Sequence, residues 1–219
     1  MQNFDVAREN MIHGQLRPNG IEAPALLAAL QTVPREKFVP RHLQRIAYVD
    51  EDVEIAKGRY LPEPVILARL LQALDIQEGE VALDIGCGSG YSTALLGRLA
   101  ATVVALESDK VLAAEADRLL RELDICNTVV IEQADMAAGF DKQAPYHAIL
   151  INGSVPAVPA QLMHQLADGG RLVTVISKRG HMGPAVLMTR TGDNFSTRVL
   201  FDAATPPLPG FQKLETFVF

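Results

Sequence analysis

From residue 81 onward, short apolar and β-branched runs alternate with longer stretches whose apolar residues recur at helical spacing. That alternation is the mark of βαβ units around a parallel sheet. Five strands are predicted, at Val81–Ile85, Thr102–Leu106, Thr128–Glu132, Ala148–Ile151 and Arg171–Ile176, with starts 20 to 26 residues apart, room for a crossover helix each time. Helices are expected over Tyr91–Leu99, Val111–Leu123 and Pro159–Leu166, with Asp109 and Pro159 as start signals and Gly169–Gly170 as a stop. After Ile176 the rhythm changes to Ala185–Arg190, a turn at Thr191–Asn194 and Ser196–Phe201, an antiparallel hairpin. Pro206, Pro207, Pro209 and Gly210 then predict an ordered loop, and Thr216–Phe219 one more short strand. Upstream, Asp5–Gln15, Ala23–Val33 with Pro24 in its first turn, and Pro64–Leu74 read as helices. Three regions follow: a helical cap over 1–75, a sheet core over 76–176, and a hairpin and tail over 177–219.

At 219 residues the chain fits one domain with an elaborated end. Hydrophobic residues at 48% and charged residues at 21% place it among globular chains rather than disordered ones. The formal charge, 20 minus 26 or −6, offers no global basic field for a nucleic-acid backbone. Residues 1–10 carry Asp5, Arg8 and Glu9 with no signal-peptide core after them. The longest stretch free of acidic and basic residues, Gln143–Ala167, is broken by Pro145, Asn152, Pro156, Pro159 and Gln161, so no membrane span is expected. Cys87 and Cys126 cannot build a disulfide framework or a zinc site, which fits a reducing, cytoplasmic setting and no bound metal.

The chemistry concentrates in Val81-Ala-Leu-Asp-Ile-Gly-Cys-Gly-Ser-Gly-Tyr91, a strand entering a glycine-rich turn that opens a helix. A dinucleotide site wants Gly-x-Gly-x-x-Gly, with its third glycine close to a pyrophosphate. Here the glycines are Gly86, Gly88 and Gly90, and the third dinucleotide position is Tyr91, which argues against NAD and FAD. The spacing Asp84-x-Gly86-x-Gly88-x-Gly90 matches the loop of class I S-adenosylmethionine-dependent methyltransferases. Their ligand has no phosphates, so the glycines admit the backbone close to the methionine part and the sugar. Asp84 is then available to the ammonium group, and Glu107, 21 residues after Gly86 at the end of the second strand, to both ribose hydroxyls. After the third strand, Asp135 could accept from an adenine amino group and Met136 could pack on the ring. Cys87, Tyr91, Ser108 and Asn152 complete the expected donor-binding set.

Further segments widen the resemblance. Pro34-Arg-Glu-Lys-Phe-Val-Pro40, Ala47-Tyr-Val-Asp50, Gly86-Cys-Gly-Ser-Gly-Tyr91, Ala144-Pro-Tyr146 and Leu166-Ala-Asp-Gly-Gly-Arg-Leu-Val173 resemble the protein-L-isoaspartate O-methyltransferase family over about residues 11–176. The resemblance implies an α/β fold, a doubly wound, mostly parallel seven-stranded Rossmann-like sheet with an N-terminal helical cap. It also implies S-adenosyl-L-methionine as donor and methyl transfer to the carboxylate of isoaspartyl residues in damaged proteins, a repair activity.

The chain departs from the family at the acceptor side. Where members carry Gly-Gln-Thr-Ile-Ser-x-Pro, with a serine that holds the isoaspartyl carboxylate, this chain has Gly58-Arg-Tyr-Leu-Pro62-Glu-Pro64. The serine position is Pro62 and the threonine position Tyr60. Arg59 offers a fork for a carboxylate and Tyr60 a phenolic donor, so these two are the candidate acceptor-side catalytic residues. Ser154, after the fourth strand, is placed near the ligand edge by topology. His147 replaces the family's Asp and reads as a strand-start residue facing solvent. Asn152-Gly-Ser-Val155 lacks the Pro-Pro-Tyr/Phe of nucleobase and glutamine N-methylation. The Pro62 substitution keeps two other functions in view: the same scaffold acting on a small carboxylic acid or phenol, and a catalytically silent S-adenosylmethionine-binding protein that works through a partner.

Overall fold

The computed structural model describes residues 3–177 and 181–211. A seven-stranded sheet runs in the order β5-β4-β3-β6-β7-β8-β9. Its strands are β3 (Val81–Ile85), β4 (Thr102–Glu107), β5 (Thr128–Glu132), β6 (Tyr146–Val155), β7 (Leu166–Ile176), β8 (Gly183–Thr191) and β9 (Asn194–Ala203). The first five are mutually parallel; β8 and β9 close the sheet as an antiparallel hairpin. The expected fold class is therefore observed. Strand order reverses at β3, which lies between β4 and β6, so a crevice opens beyond its carboxyl end, where ligands bind in such sheets.

Side-chain alternation decides what faces that crevice. Leu83, Ile85, Val104, Leu106, Ile149 and Ile151 point into one core, with Met136, Leu162 and Leu208. Ala82, Val103, Leu150 and Val173 point into the other, with the cap helices α1 (Phe4–Met11), α2 (Pro24–Thr32) and α3 (Pro64–Leu74). By the same period of two, Asp84 faces the cap side, beneath α4 (Tyr91–Gly97). A carboxylate in the middle of a buried strand is costly without partners, and α4 supplies them.

The cap is tied on by polar contacts. Asn3 caps α1 by accepting from the amides of Asp5 and Val6, and a wide π turn, Ile12–Leu16, continues the helix and buries Ile12 and Leu16. Gln72 of α3 accepts from the amides of Glu22 and Ala23 and donates to the Gly20 carbonyl. Arg171 of β7 donates to the carbonyls of Leu74 and Asp75 at the end of α3 and pairs with Glu80 at 2.7 Å, a cation placed where a helix carboxyl end favours one.

Several boundaries move. The hairpin of β1 (Val53–Ala56) and β2 (Arg59–Leu61) was not expected, although Val-Glu-Ile-Ala alternates and Lys57-Gly58 is a two-residue turn with Gly58 at φ +68°. It is too short to stand out by period, and packing against the cap makes it stable. The helix expected over Pro159–Leu166 shrinks to α6 (Ala160–His164), because β7 starts at Leu166 and takes in Gly169–Gly170, the expected stop. β6 outgrows Ala148–Ile151 at both ends through two register shifts against β7. The two-residue turn of the β8–β9 hairpin is Gly192-Asp193, within the expected Thr191–Asn194. The strand expected at Thr216–Phe219 lies outside the described residues.

Candidate active site

The glycine turn after β3 is held by β4. Gly86 and Cys87 donate their amides to the Leu106 carbonyl at 2.9 and 3.1 Å, and Gly88 donates its amide to Glu107 Oε2 at 2.7 Å. Gly86 takes φ +79° and Gly88 φ +58°, conformations that a side chain resists. Space is short as well: a Cβ on Gly86 would lie 2.4 Å from Leu208 Cδ1, and one on Gly88 2.8 Å from Ile55 Cδ1. Cys87 is buried, and burial pushes its thiol well up, so it stays a small neutral filler.

Asp84 is fully buried and accepts at Oδ2 from the hydroxyls of Ser92 and Thr93, both at 2.7 Å. Its Oδ1 is buried without a hydrogen-bond partner among the described residues. Burial lifts its pKa to about 6 against the two hydroxyls that favour the charged form. Asn152, at the end of β6, donates to the Gly86 carbonyl and to Ser92 Oγ, closing a ring of contacts around the turn.

Glu107 is fully buried and fully engaged. Its Oε1 accepts from the amides of Ser108 and Asp109 at 2.9 and 3.0 Å; its Oε2 accepts from Gly88 and, at 2.6 Å, from Arg59 Nη2. The same nitrogen donates to the Gly86 carbonyl at 3.2 Å, and Arg59 Nη1 is buried without a hydrogen-bond partner among the described residues. Arg59, expected to face an acceptor, thus spends one nitrogen, Nη2, on the donor-side carboxylate.

A groove runs beside this pair, with Arg59, Tyr60 and Pro62 on one wall and Asn152 and residues 205–209 on the other. Ser154 builds the second wall rather than reaching a ligand. Its hydroxyl donates to the Thr205 carbonyl, its amide to the Pro206 carbonyl, and its own carbonyl accepts from Leu208. The proline-rich segment is consequently an ordered strap across the end of β6, as its composition suggested. Behind Pro62 the charge is acidic: Glu63 rises to about 7, first through burial and then through Asp50, Asp52 and Glu51.

Three other expectations change. Tyr91 opens α4 but turns its ring into the cap, edge-on to Phe38 at 5.4 Å and beneath the Arg35 guanidinium at 5.0 Å, so its side chain presents no face to a donor. Met136 is wholly buried in the lower core and has no free face for an adenine ring. Asp135 is exposed on the loop after β5, outside the hydrogen-bonded set. His147 lies at the opposite end of the sheet, half-buried, where it accepts from the Val81 amide. Sequence reasoning missed Ser92 and Thr93; hydroxyls eight and nine residues after a buried aspartate, in the first turn of the next helix, were the available signal. Leu208 had none.

A family model described as protein-L-isoaspartate(D-aspartate) O-methyltransferase matches residues 7–204. The chain belongs to this family. A Pelobacter propionicus relative named protein-L-isoaspartate O-methyltransferase 2 is 36% identical over 211 residues, covering 96% of this chain and 93% of its own. One of the same name from Marinobacter nauticus is 39% identical over 193 residues, 88% of each chain. Two solved members show the same fold. A protein-L-isoaspartate O-methyltransferase superposes with a TM-score of 0.80 at 23% identity, over 93% of this chain and 67% of its own. A Plasmodium falciparum one, in complex with S-adenosyl-L-homocysteine, gives 0.78 at 22%, over 96% and 100%. The match to the family ends at residue 204, just before the strap that forms the far wall of the groove.

Proposed function

We propose that the protein is an S-adenosylmethionine-dependent methyltransferase that esterifies the free carboxylate of isoaspartyl residues in damaged proteins. The observation that carries this reading is the buried ring of Asp84, Gly86, Gly88, Glu107 and Asn152 at the switch point of a chain belonging to this family. The residues fit such a donor: Gly86 and Gly88 hold positive φ, and a side chain there would press on Leu208 or Ile55, while the unpartnered Asp84 Oδ1 suits an ammonium group. When bound, the donor supplies a methyl group on a sulfonium.

The chain's own task is positional. A carboxylate nucleophile is already ionised, so no proton has to move. The new C–O bond forms as the methyl–sulfur bond breaks, and the electron pair stays on sulfur. Alignment and exclusion of water carry the rate. Asp84 and the glycine turn fix one side, and Tyr60 and Arg59, on the groove wall, orient the acceptor in place of the serine hydroxyl absent at Pro62. Among the described residues no helix is long and apolar enough to cross a membrane. Two lone, free thiols, Cys87 and Cys126, fit work in a reducing compartment such as the cytoplasm.

The test is transfer of labelled methyl from S-adenosylmethionine to a peptide with one isoaspartyl residue, against the same peptide with normal aspartate. Label in a base-labile ester on the first peptide alone is expected. Absence of label, with S-adenosylhomocysteine binding intact, overturns the acceptor and keeps the donor. A second reading, a small uncharged acceptor such as a phenol, is favoured by Pro62 and by the acidic cluster behind it, which does not welcome another anion.

A further inference from the structure

Glu107 and Arg59 hold a relationship that the donor-binding reading alone does not require. A carboxylate offers about four acceptor sites, and Glu107 has none to spare: three backbone amides and Arg59 Nη2 fill them, with the Ser108 hydroxyl in a longer contact at 3.5 Å on Oε1. The amides belong to the turn and to the end of β4 and cannot leave without dismantling the site. Arg59 can, because it reaches in from the short β1–β2 hairpin. If the two ribose hydroxyls of a donor are to bond to Glu107, the long Ser108 hydroxyl contact can turn away from Oε1, and at Oε2 Arg59 is the group that gives way.

A guanidinium displaced from a buried pair carries a large penalty unless another anion receives it. Arg59 is 6% exposed, lines the groove, and already has Nη1 buried without a hydrogen-bond partner among the described residues. Its displacement therefore leaves a desolvated cation at the wall where the acceptor enters. We propose that Arg59 couples the two substrates: it yields Glu107 to the ribose of the donor and passes to the carboxylate of the acceptor, so that each substrate tightens the binding of the other. The inference rests on the carboxylate-acceptor reading above. It makes Arg59 a specificity residue for anionic acceptors, since a neutral acceptor cannot compensate the released charge.

Linkage makes the coupling reciprocal, with one factor for both ligands. S-adenosylhomocysteine, which cannot react, is titrated calorimetrically into the full chain alone, with saturating isoaspartyl peptide, and with succinate as a plain carboxylate probe. At least a tenfold gain in its affinity is expected with the peptide. In Arg59→Gln, S-adenosylhomocysteine alone should bind at least as tightly as to the wild type, and the coupling should vanish; Arg59→Lys should keep part of it. Thermal melts by circular dichroism confirm that the variants are folded. No gain in the wild type with either carboxylate, coupling that persists in Arg59→Gln, or a tenfold loss of S-adenosylhomocysteine affinity in that variant each overturn the proposal. Coupling with succinate but not with the peptide supports the Arg59 transfer and overturns the isoaspartyl acceptor instead.

Discussion

Arg35 Nη2 donates to the carbonyl of Pro62 at 2.7 Å, and its Nε donates to the carbonyl of Ala47. A fully buried guanidinium thus anchors the turn where the family carries its serine, and burial holds its pKa below the usual arginine value. The bond goes to the backbone, so the identity of residue 62 can change while the turn stays in place.

Replacing Arg35 with methionine should strip two buried carbonyls of their donor. At about 1–3 kcal/mol for each unsatisfied group, a loss of roughly 2–6 kcal/mol is expected, read as a lower urea midpoint at unchanged slope. A loss under 1 kcal/mol would show that the Pro62 turn is held by other contacts.

Pro62→Ser returns a hydroxyl to the acceptor side, and the Arg35 bond to the residue 62 carbonyl survives the change. A hydrogen bond to a charged group is worth about 1.5–3 kcal/mol, so kcat/KM on an isoaspartyl peptide should rise at least tenfold. A rise below twofold would mean that Tyr60 and Arg59 already fill the role. Tyr60→Phe is then the complementary variant, with a tenfold or larger fall expected.

With Asp84 at the ammonium site, donor binding should depend on pH. Its pKa in the protein, about 6, lies above its ordinary value of 3.8 because burial disfavours the charge. The group therefore contributes stability that is fully present below the unfolded pKa and is lost as pH rises through about 6. An ammonium beside Oδ1 needs the ionised form, so affinity for S-adenosylhomocysteine should fall up to tenfold per unit below pH 6 and level off above it. Asp84→Asn should bind more weakly at pH 8 and show a flat profile between pH 5 and 8. A wild-type profile flat over that range would remove Asp84 from the ammonium site.

Gly86→Ala and Gly192→Ala separate strain from crowding. Both positions have positive φ, worth roughly 1–2 kcal/mol to a side chain, but nothing lies within 4 Å of a Cβ at Gly192, whereas Leu208 fills that space at Gly86. Both variants should lose stability, and Gly86→Ala should also lose S-adenosylhomocysteine binding. Adding Leu208→Ala should recover about 1–2 kcal/mol in a double-mutant cycle. A coupling near zero would show that Leu208 moves aside at no cost.

How much of this was legible in the chain depends on the range of the forces involved. The five parallel strands, the terminal hairpin, helices α1 to α4 and α5 (Lys110–Glu122) follow from period and local punctuation, and α5 begins at the expected cap, Asp109. The β1–β2 hairpin did not, because few local residues specify it, and of the helix expected over Pro159–Leu166 only the end was misjudged, because register with neighbouring strands decides where α6 stops and β7 begins. Within the site, Asp84, the glycines and Glu107 were readable because backbone geometry and strand ends dictate them. The directions of the Tyr91 and Met136 side chains were not readable, since direction of burial is a tertiary property: the cap takes the Tyr91 ring and the core around Leu83 and Ile149 takes the Met136 side chain.

By itself, then, the sequence determined a parallel sheet, a glycine turn at its switch point, two carboxylates to serve it, and a proline where the family keeps a serine. Each of these depends on residues near one another along the chain, where steric limits on φ and the two-residue strand period leave few choices. Only the tertiary structure decided that Arg59 rests on Glu107, 48 positions away, that Arg35 holds Pro62, and that Leu208 lies over Gly86. Those pairings join distant segments, and burial fixes them: a desolvated charge or carbonyl must find a partner, and only the folded chain brings one within reach.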